Sequence, residues 1–222
     1  MSNLSDLVGK AKLYSKNSYT LANNRFCDSN SAIYLTQSYL RAPSGINLTS
    51  DFTVTLWMYF KSFRKNSGLI SFGNKSSKDT FSILLHSASQ LTVLASNKKT
   101  SHNITTSKLL QLNKWYHVAL VFSGANAYVY VNGTLVCNGS LLMKNNVSRS
   151  INLIGDNADA IFDELKIYHG PMTANQVLDD YIASSSNGKL KLNIQFTVIL
   201  QLFSHYLNNG YDNSDVSVTY HC

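Results

Sequence analysis

The chain has 222 residues, of which 44% are hydrophobic, and it carries 19 Lys and Arg against 12 Asp and Glu, for a net charge of +7. Thirteen Tyr and ten Phe exclude a disordered chain, and two Pro with eleven Gly exclude a low-complexity repeat. One domain of this length can bury a sizeable core.

The N-terminal segment MSNLSDLVGKAKLYSK has no continuous apolar region and no small-residue cleavage site, so it does not predict a secretory signal. The most apolar stretch, Leu192–Leu207, is interrupted by polar residues. It is therefore shorter than the roughly 20 clean residues that a bilayer requires, and the sequence predicts no membrane span.

Period-two alternation predicts strands along most of the chain. Asp51–Ser62 shows it most clearly, because the apolar side chains from Phe52 to Phe60 share one face while Trp57 and Tyr59 lie on the other. This pattern is typical of a central strand of a sandwich. Ser31–Leu40 predicts a pair of strands. Further predicted strands are Lys10–Ser15, Leu69–Gly73, Thr80–His86, Gln90–Ser96, His102–Leu110, Ser150–Ile154 and Ala160–Tyr168.

The segment Asn113–Ser140 predicts two hairpins in succession. Trp115–Phe122 and Ala127–Val131 flank a short loop, and Asn132-Gly133 then turns the chain into Thr134–Cys137. Both tryptophans of the chain fall within strands, and we expect them to fill the core.

A short helix is predicted after the last long strand. Pro171 stops the sheet, and Thr173 with Gln176 forms a capping-box-like start for a helix that runs to about Ile182.

Three predicted strand segments carry distinctive sequence motifs: W-x-H-V-A-L-x-F in Trp115–Phe122, Y-V-N-G-x-x-V in Tyr128–Val136 and F-D-E-L-x-I-Y in Phe162–Tyr168. With the helix behind them, they resemble the laminin-G-like jellyroll domains of the concanavalin A-like lectin/glucanase superfamily, which is related to pentraxins. The resemblance covers residues 4–186 and implies an all-β antiparallel β-sandwich jellyroll with one short C-terminal helix, here lacking the usual first strand. Residues 187–222 are predicted to lie outside the domain, either as the start of another region or as sequence unrelated to the fold.

The resemblance implies an extracellular or cell-surface module. Because no export signal is predicted, we expect the chain to be a fragment of a longer protein or a gene model that lost its start. Cys27, Cys137 and Cys222 form no C-x-x-C pair, which leaves zinc and thioredoxin chemistry unsupported. A Cys27–Cys137 disulfide is one candidate. N-x-[ST] sequons begin at Asn3, Asn47, Asn74, Asn103, Asn132, Asn138 and Asn146.

Enzymatic activity is not expected. Glycoside hydrolases of this superfamily commonly use two glutamates as nucleophile and general acid. The chain contains one glutamate, Glu164, and has no G-x-S-x-G, H-E-x-x-H, P-loop or dinucleotide motif. His117 is expected to be a structural histidine within its strand.

Structural calcium is a further expectation. Simple alternation places Asp163 on the same side as Ile161, Leu165 and Ile167, where an unpaired charge requires a cation or hydrogen-bond donors. The resemblance implies that Asp163 and Asp6 hold Ca²⁺. The loop before the strand adds candidate oxygen ligands at Asp156, Asn157 and Asp159, although the same residues are ordinary in a turn.

The positive charge is concentrated in one segment. Residues 61–114 carry nine Lys and Arg against Asp79 alone, whereas the rest of the chain has a net charge of −1. Such loops predict either a polyanion site, for which sulfated glycans are common partners of related domains, or a solvated surface. No interleaved aromatic pattern supports nucleic acid. The predicted ligand-binding residues are Lys61, Arg64, Lys65, Lys75, Lys78, Lys98 and Lys99.

Three functions follow from these observations. The leading one is a non-catalytic recognition or adhesion module that binds carbohydrate or an extracellular protein through loops at one end of the sandwich. A structural spacer in a multidomain surface protein is the alternative. A glycoside hydrolase comes third because of the single glutamate.

Overall fold

The computed structural model of the protein describes residues 14–15, 19–42, 51–73, 80–87, 89–96, 100–107, 109–141, 152–185 and 199–200. These residues form two packed, mainly antiparallel sheets and one helix, which confirms the predicted jellyroll sandwich. No helix in the described ranges is long and apolar enough to cross a membrane.

The elements follow the predicted order along the chain. They are β1 (Tyr14–Ser15), β2 (Thr20–Ala22), β3 (Ala32–Thr36), β4 (Leu40–Ala42), β5 (Phe52–Phe60), β6 (Ser67–Gly73), β7 (Thr80–Ser87), β8 (Gln90–Ser96), β9 (Ser101–Thr105), β10 (Trp115–Ser123), β11 (Asn126–Val131), β12 (Thr134–Ser140), β13 (Asn152–Asp156), β14 (Asp159–His169), α1 (Ala174–Ser185) and β15 (Ile199–Leu200).

The fifteen described strands are divided between two sheets. One sheet has seven strands in the order β1-β4-β13-β6-β7-β8-β9. The other has eight strands, with the order β12-β11-β10-β5-β14-β3-β2 and with β15 parallel to part of β14. Residues 199–200, from the segment predicted to lie outside the domain, therefore pair with the sheet. Helix α1 packs on the outer face of the eight-stranded sheet.

The core lies between the sheets and matches the predicted alternation of β5. Phe52 and Phe60 are buried at either end of its inward face, and Phe52 stacks on Phe122 with ring centroids 4.7 Å apart. Phe81, from the facing sheet, meets both Phe52 and Phe122 edge-on. These aromatic contacts tie the two layers together.

The turn and cap predictions are also confirmed. Asn132 and Gly133 both have positive φ, 50° and 75°, as a tight hairpin turn requires. The backbone N–H of Thr173 donates to Gln176 Oε1 at 2.8 Å, and the Gln176 N–H donates back to Thr173 Oγ1 at 3.3 Å. This is the reciprocal bonding of a capping box.

A bulge changes the alternation of β14. The register against β5 shifts between Asp163 and Lys166, and Glu164 has a φ of 46°. Before the bulge Asp163 lies opposite Trp57, and after it Ile167 lies opposite Val54, whose side chain is in the core. The prediction that Asp163 shares a face with Leu165 and Ile167 is therefore wrong, because one extra residue reverses the sides.

The candidate Cys27–Cys137 disulfide is absent from the structure. Both cysteines are free. Cys137 lies in β12 at one edge of the eight-stranded sheet, while Cys27 lies between β2 and β3 at the other edge. Six strand spacings of about 4.8 Å separate these edges, far beyond the reach of a disulfide.

Candidate functional site: an aromatic row at one end of the outer face

Helix α1 covers the middle of the outer face of the eight-stranded sheet and lies over buried charges. We call this group the buried ion cluster, and its members are Arg25, His117, Asp163, Glu164, Lys166 and Asp180. Trp57 and His117 form the floor beneath Tyr181 of the helix, with ring centroids 5.8 Å from the Tyr181 ring in each case.

Arg25 holds one end of the buried ion cluster. Its Nη1 donates to Asp163 Oδ2 at 2.6 Å, and its Nη2 donates to a carboxylate oxygen of Glu164. Its Nε donates to the carbonyl oxygen of Ser184, in the last turn of α1, at 2.9 Å. One guanidinium therefore bonds two buried carboxylates and the carbonyl end of a helix.

Asp180 holds the other end. Its Oδ1 accepts from Lys166 Nζ at 2.7 Å, and its Oδ2 accepts from His117 Nε2 at 3.0 Å. Burial raises the pKa of Asp180, but the His117 hydrogen bond and the Lys166 charge outweigh burial and hold that pKa well below its usual range. Burial and the neighbouring Asp180 charge raise the pKa of Tyr168. The ionised carboxylate of Asp180 is thus part of the folded structure.

The low pKa of Asp180 makes the stability of the protein sensitive to acid. A depressed carboxyl pKa contributes stability that is present above the unfolded pKa of about 3.9 and is lost as the pH falls through the lower folded pKa. We expect urea unfolding midpoints to fall between about pH 4 and pH 2. The decline should be smaller in Asp180→Asn and unchanged in Asp179→Asn, whose side chain is exposed on the same helix. An equal decline in both variants would contradict this role of Asp180.

Beyond the end of the helix, the same outer face carries a row of half-buried aromatic side chains. Ile161 lies opposite Tyr34 on one side and opposite Tyr59 on the other, and Tyr59 lies opposite Trp115. The Tyr59 and Trp115 ring centroids are 5.5 Å apart. We call Tyr34, Tyr59 and Trp115 the aromatic row. It crosses three strand spacings, about 14 Å.

Polar side chains border the aromatic row at the strand ends. Asp159 accepts from Tyr34 Oη at 2.8 Å and from Ser62 Oγ at 2.5 Å. The Lys61 amine lies 4.2 Å from the centroid of the Tyr34 ring, and Arg64 Nη2 donates to Thr36 Oγ1 at 3.1 Å. This end of the sheet therefore combines apolar ring surface with hydroxyl, carboxylate and cationic groups.

More cations converge on this end. Arg64 Nη2 lies 3.9 Å from Asp159 Oδ2, and Lys65 is exposed in the same loop. Lys114 is exposed immediately before Trp115, and its neighbour Asn113 donates its backbone N–H to the Phe60 carbonyl at 3.0 Å. Loops from two separate parts of the chain thus bring positive charge to one border of the aromatic row.

The predicted metal ligands do not converge in the described structure. Asp163 pairs with Arg25, whereas Asp159 accepts hydrogen bonds from hydroxyl groups. The two aspartates are four residues apart on the same strand, a distance of about 13 Å. Asp156 is the last residue of β13, opposite Gly68, and Asn157 lies in the tight turn before β14. The described residues contain no group of three or more His, Cys, Asp or Glu that could hold a metal ion. Asp6 lies outside them, and calcium binding stays a prediction.

The predicted basic residues are only partly placed by the structure. Lys61, Arg64 and Lys65 lie in the described loop after β5, next to the aromatic row. The others, Lys75, Lys78, Lys98 and Lys99, lie outside the described residues.

Sequence reasoning missed Arg25 and the aromatic row. Trp115 was expected in the core, but it is half-buried on the outer face, opposite Tyr59. The available signal was the alternation of β5, which puts Tyr59 and Trp57 on its more polar face. Arg25 lies in a turn-rich stretch with no pattern that marks it.

Comparisons with known proteins agree with this architecture. The Laminin_G_3 family model, described as the concanavalin A-like lectin/glucanases superfamily, matches residues 35–178. Domain 4 of AbnA, an extracellular GH43 arabinanase from Geobacillus stearothermophilus solved with arabinotriose, has a TM-score of 0.65 and 18% identity, covering 80% of this chain and 92% of that domain. No curated protein matches the sequence.

Two toxin domains share the fold. The binding domain of Paraclostridial Mosquitocidal Protein 1 has a TM-score of 0.64 and 18% identity, covering 81% of this chain and 49% of that chain. For the botulinum neurotoxin serotype D binding domain the values are 0.63 and 12%, with 79% and 46% covered. The chain spans about half the length of each toxin domain. From the family match, the chain belongs to the concanavalin A-like lectin/glucanases superfamily.

Proposed function

We propose that the protein is a non-catalytic recognition module that binds carbohydrate on the aromatic row and turns anionic sugar groups toward the cations bordering it. The observation that carries this proposal is the placement of Tyr34, Tyr59 and Trp115 in one half-buried row. Half-buried Tyr and Trp combine an apolar ring face with a polar edge, which suits a sugar ring and its hydroxyls.

The cations support an acidic ligand. Four cationic side chains lie around the loop end: Lys61, Arg64, Lys65 and Lys114. Asp159 lies at the same end and contacts hydroxyl groups and Arg64. Clustered positive charge raises the local concentration of anions and orients them as they approach. Uronate or sulfate groups on a glycan meet both requirements. The arabinanase domain with arabinotriose supports carbohydrate as the ligand class.

The non-catalytic part of the proposal rests on the one glutamate. The carboxylate of Glu164 is buried, bonded to Arg25 and 3.5 Å from Lys166 Nζ. A general acid must reach the glycosidic oxygen of the substrate. A retaining enzyme also needs a second carboxylate, about 5–5.5 Å from the first, that faces the same bond. Glu164 instead lies beneath helix α1 as a structural anion. We propose that the protein acts outside the cell or on its surface.

A glycan array that includes neutral, uronic and sulfated oligosaccharides tests the function, run with calcium and with EDTA. We expect retention of acidic oligosaccharides in both conditions, and a loss of binding confined to EDTA would assign recognition to calcium instead. If the domain retained no glycan in either condition, the structural spacer would be the better description. Elution from heparin at the same salt for the protein and for Lys61→Ala/Lys114→Ala would remove the anionic part of the proposal.

Trp115→Ala tests the aromatic row directly. Truncating an aromatic anchor of an interface commonly costs more than about 1 kcal/mol, so we expect the affinity for the best array ligand to fall about tenfold. Tyr14→Ala is the matched control, because Tyr14 is 58% exposed on the opposite sheet. Calorimetric titration measures both variants. Equal affinities for Trp115→Ala and the unaltered protein would place the ligand elsewhere.

A further inference from the structure

The edge strands β9 and β12, one from each sheet, meet along one side of the sandwich. Cys137 Sγ donates to the Thr105 carbonyl oxygen at 3.6 Å. A Cβ placed on Gly139 would lie 2.5 Å from Ile104 Cγ2, which shows how closely the two strands approach. We call this contact the β9–β12 seam.

The two strands of the seam carry no charged residue or proline. Natural sheets discourage edge-to-edge pairing with charged side chains, Pro or a covering element. The sequences of β9 and β12, SHNIT and TLVCNGS, contain no Lys, Arg, Asp, Glu or Pro. Leu135 of β12 is also 46% exposed. Two uncharged edges on the same side of the molecule require some other protection against pairing with a second copy.

Each of these strands contains a sequon with an exposed asparagine. Asn103 lies opposite Leu94, and Asn138 lies opposite Tyr128, which places the two asparagines on the outer faces of different sheets. Substituents on them would project to either side of the seam. Tyr128 lies opposite Val121, six residues and about 20 Å along β10 from Trp115. A group on Asn138 therefore leaves the aromatic row open.

A third described sequon provides an internal comparison. Asn132 lies in the tight turn between β11 and β12, and its Oδ1 accepts from the His117 backbone N–H at 2.9 Å. The next residue, Gly133, is packed so closely that a Cβ there would lie 2.8 Å from Leu178 Cδ1. The Asn132 side chain is engaged in the fold, whereas those of Asn103 and Asn138 are exposed.

We propose that Asn103 and Asn138 are N-glycosylation sites and that their glycans shield the β9–β12 seam, while Asn132 stays unmodified. The donor is an oligosaccharide carried on a lipid diphosphate. Asparagine Nδ2 forms a bond to the sugar C1 as the bond from C1 to the diphosphate oxygen breaks. The diphosphate leaves with the bonding electrons, and Nδ2 loses one proton to a base of the transferase. The proposal requires export but is independent of carbohydrate binding.

Site occupancy is tested by secreting the full chain from cultured animal cells behind a cleavable signal and mapping glycopeptides by mass spectrometry. We expect glycans on Asn103 and Asn138 and an unmodified peptide containing Asn132. A glycan on Asn132, or a bare Asn103 or Asn138 in the folded, secreted protein, would overturn the assignment.

The shielding role needs a separate measurement. Sedimentation velocity compares the secreted protein with Asn103→Gln/Asn138→Gln and with the control Asn74→Gln/Asn146→Gln, which removes two sequons elsewhere in the chain. We expect a larger weight-average mass for the first variant and for folded protein trimmed with an endoglycosidase that leaves one sugar. The control should have the same weight-average mass as the secreted protein. Equal masses for all samples, with matching near-ultraviolet circular dichroism, would overturn the shielding role.

Discussion

Replacing Arg25 with alanine is expected to lower the free energy of unfolding by about 3–5 kcal/mol, because it removes the cation that bonds two buried carboxylates. The Arg25 side chain is 5% exposed, and those of its partners Asp163 and Glu164 are 0% exposed. The substitution also removes the donors to the Ser184 carbonyl and the cation over the Trp57 ring, 4.7 Å from its centroid. Urea unfolding followed by tryptophan fluorescence measures the loss.

Three comparison variants separate charge from shape. Arg25→Lys should recover little stability, since a single ammonium cannot replace the planar fork that binds two carboxylates and a carbonyl. Arg64→Ala, which removes a partly exposed arginine, should cost less than about 1 kcal/mol. Arg25→Met/Asp163→Asn/Glu164→Gln should be more stable than Arg25→Ala because no buried carboxylate is left unneutralised. A loss below about 1 kcal/mol in Arg25→Ala would contradict the role of the cluster.

The second large effect is expected for Gly155→Ala. Gly155 has a φ of 76°, and a Cβ there would lie 2.3 Å from Leu35 Cδ1 and 3.2 Å from Phe162 Cε2. Left-handed backbone costs an L-residue about 1–2 kcal/mol, and overpacking a core adds about 1–3 kcal/mol. We therefore expect the unfolding free energy to fall by about 2–5 kcal/mol.

Gly124→Ala is the matched control for this prediction. Gly124 has a φ of 60°, but a Cβ there would meet nothing within 4 Å. This variant isolates the backbone cost of about 1–2 kcal/mol, and the difference between the two variants measures the steric contact with Leu35. Equal losses in the two variants, from denaturant unfolding, would show that the core near Leu35 adapts without cost.

The fold could be predicted because most of its signals are local. The alternation of β5 places Phe52 and Phe60 in the core, and Asn132-Gly133 adopts the predicted turn. The capping box at Thr173 was also visible in the sequence, although the helix continues to Ser185. That extension depends on distant partners, because Trp57 Nε1 donates to Ser184 Oγ at 3.0 Å and Arg25 binds the Ser184 carbonyl.

The candidate site could be predicted only in part. Charge counting identified Lys61 and Arg64, which do lie at the loop end, but it could not show that Asp159 would lie 3.9 Å from Arg64. The aromatic row depends on cross-strand register among β3, β14, β5 and β10, which sequence spacing alone does not determine. Arg25 is 138 residues from Asp163, so no local pattern connects them.

The bulge at Glu164 gives β14 two different parities. Odd-numbered residues up to Asp163 face outward, whereas the odd-numbered Leu165 and Ile167 face the core. A family alignment that places one gap here would therefore interchange core and surface positions for the rest of the strand. For the same reason, an insertion or deletion elsewhere in β14 changes which side chains are buried. The extra residue at Glu164 places the Lys166 side chain on the outer face, beneath the helix.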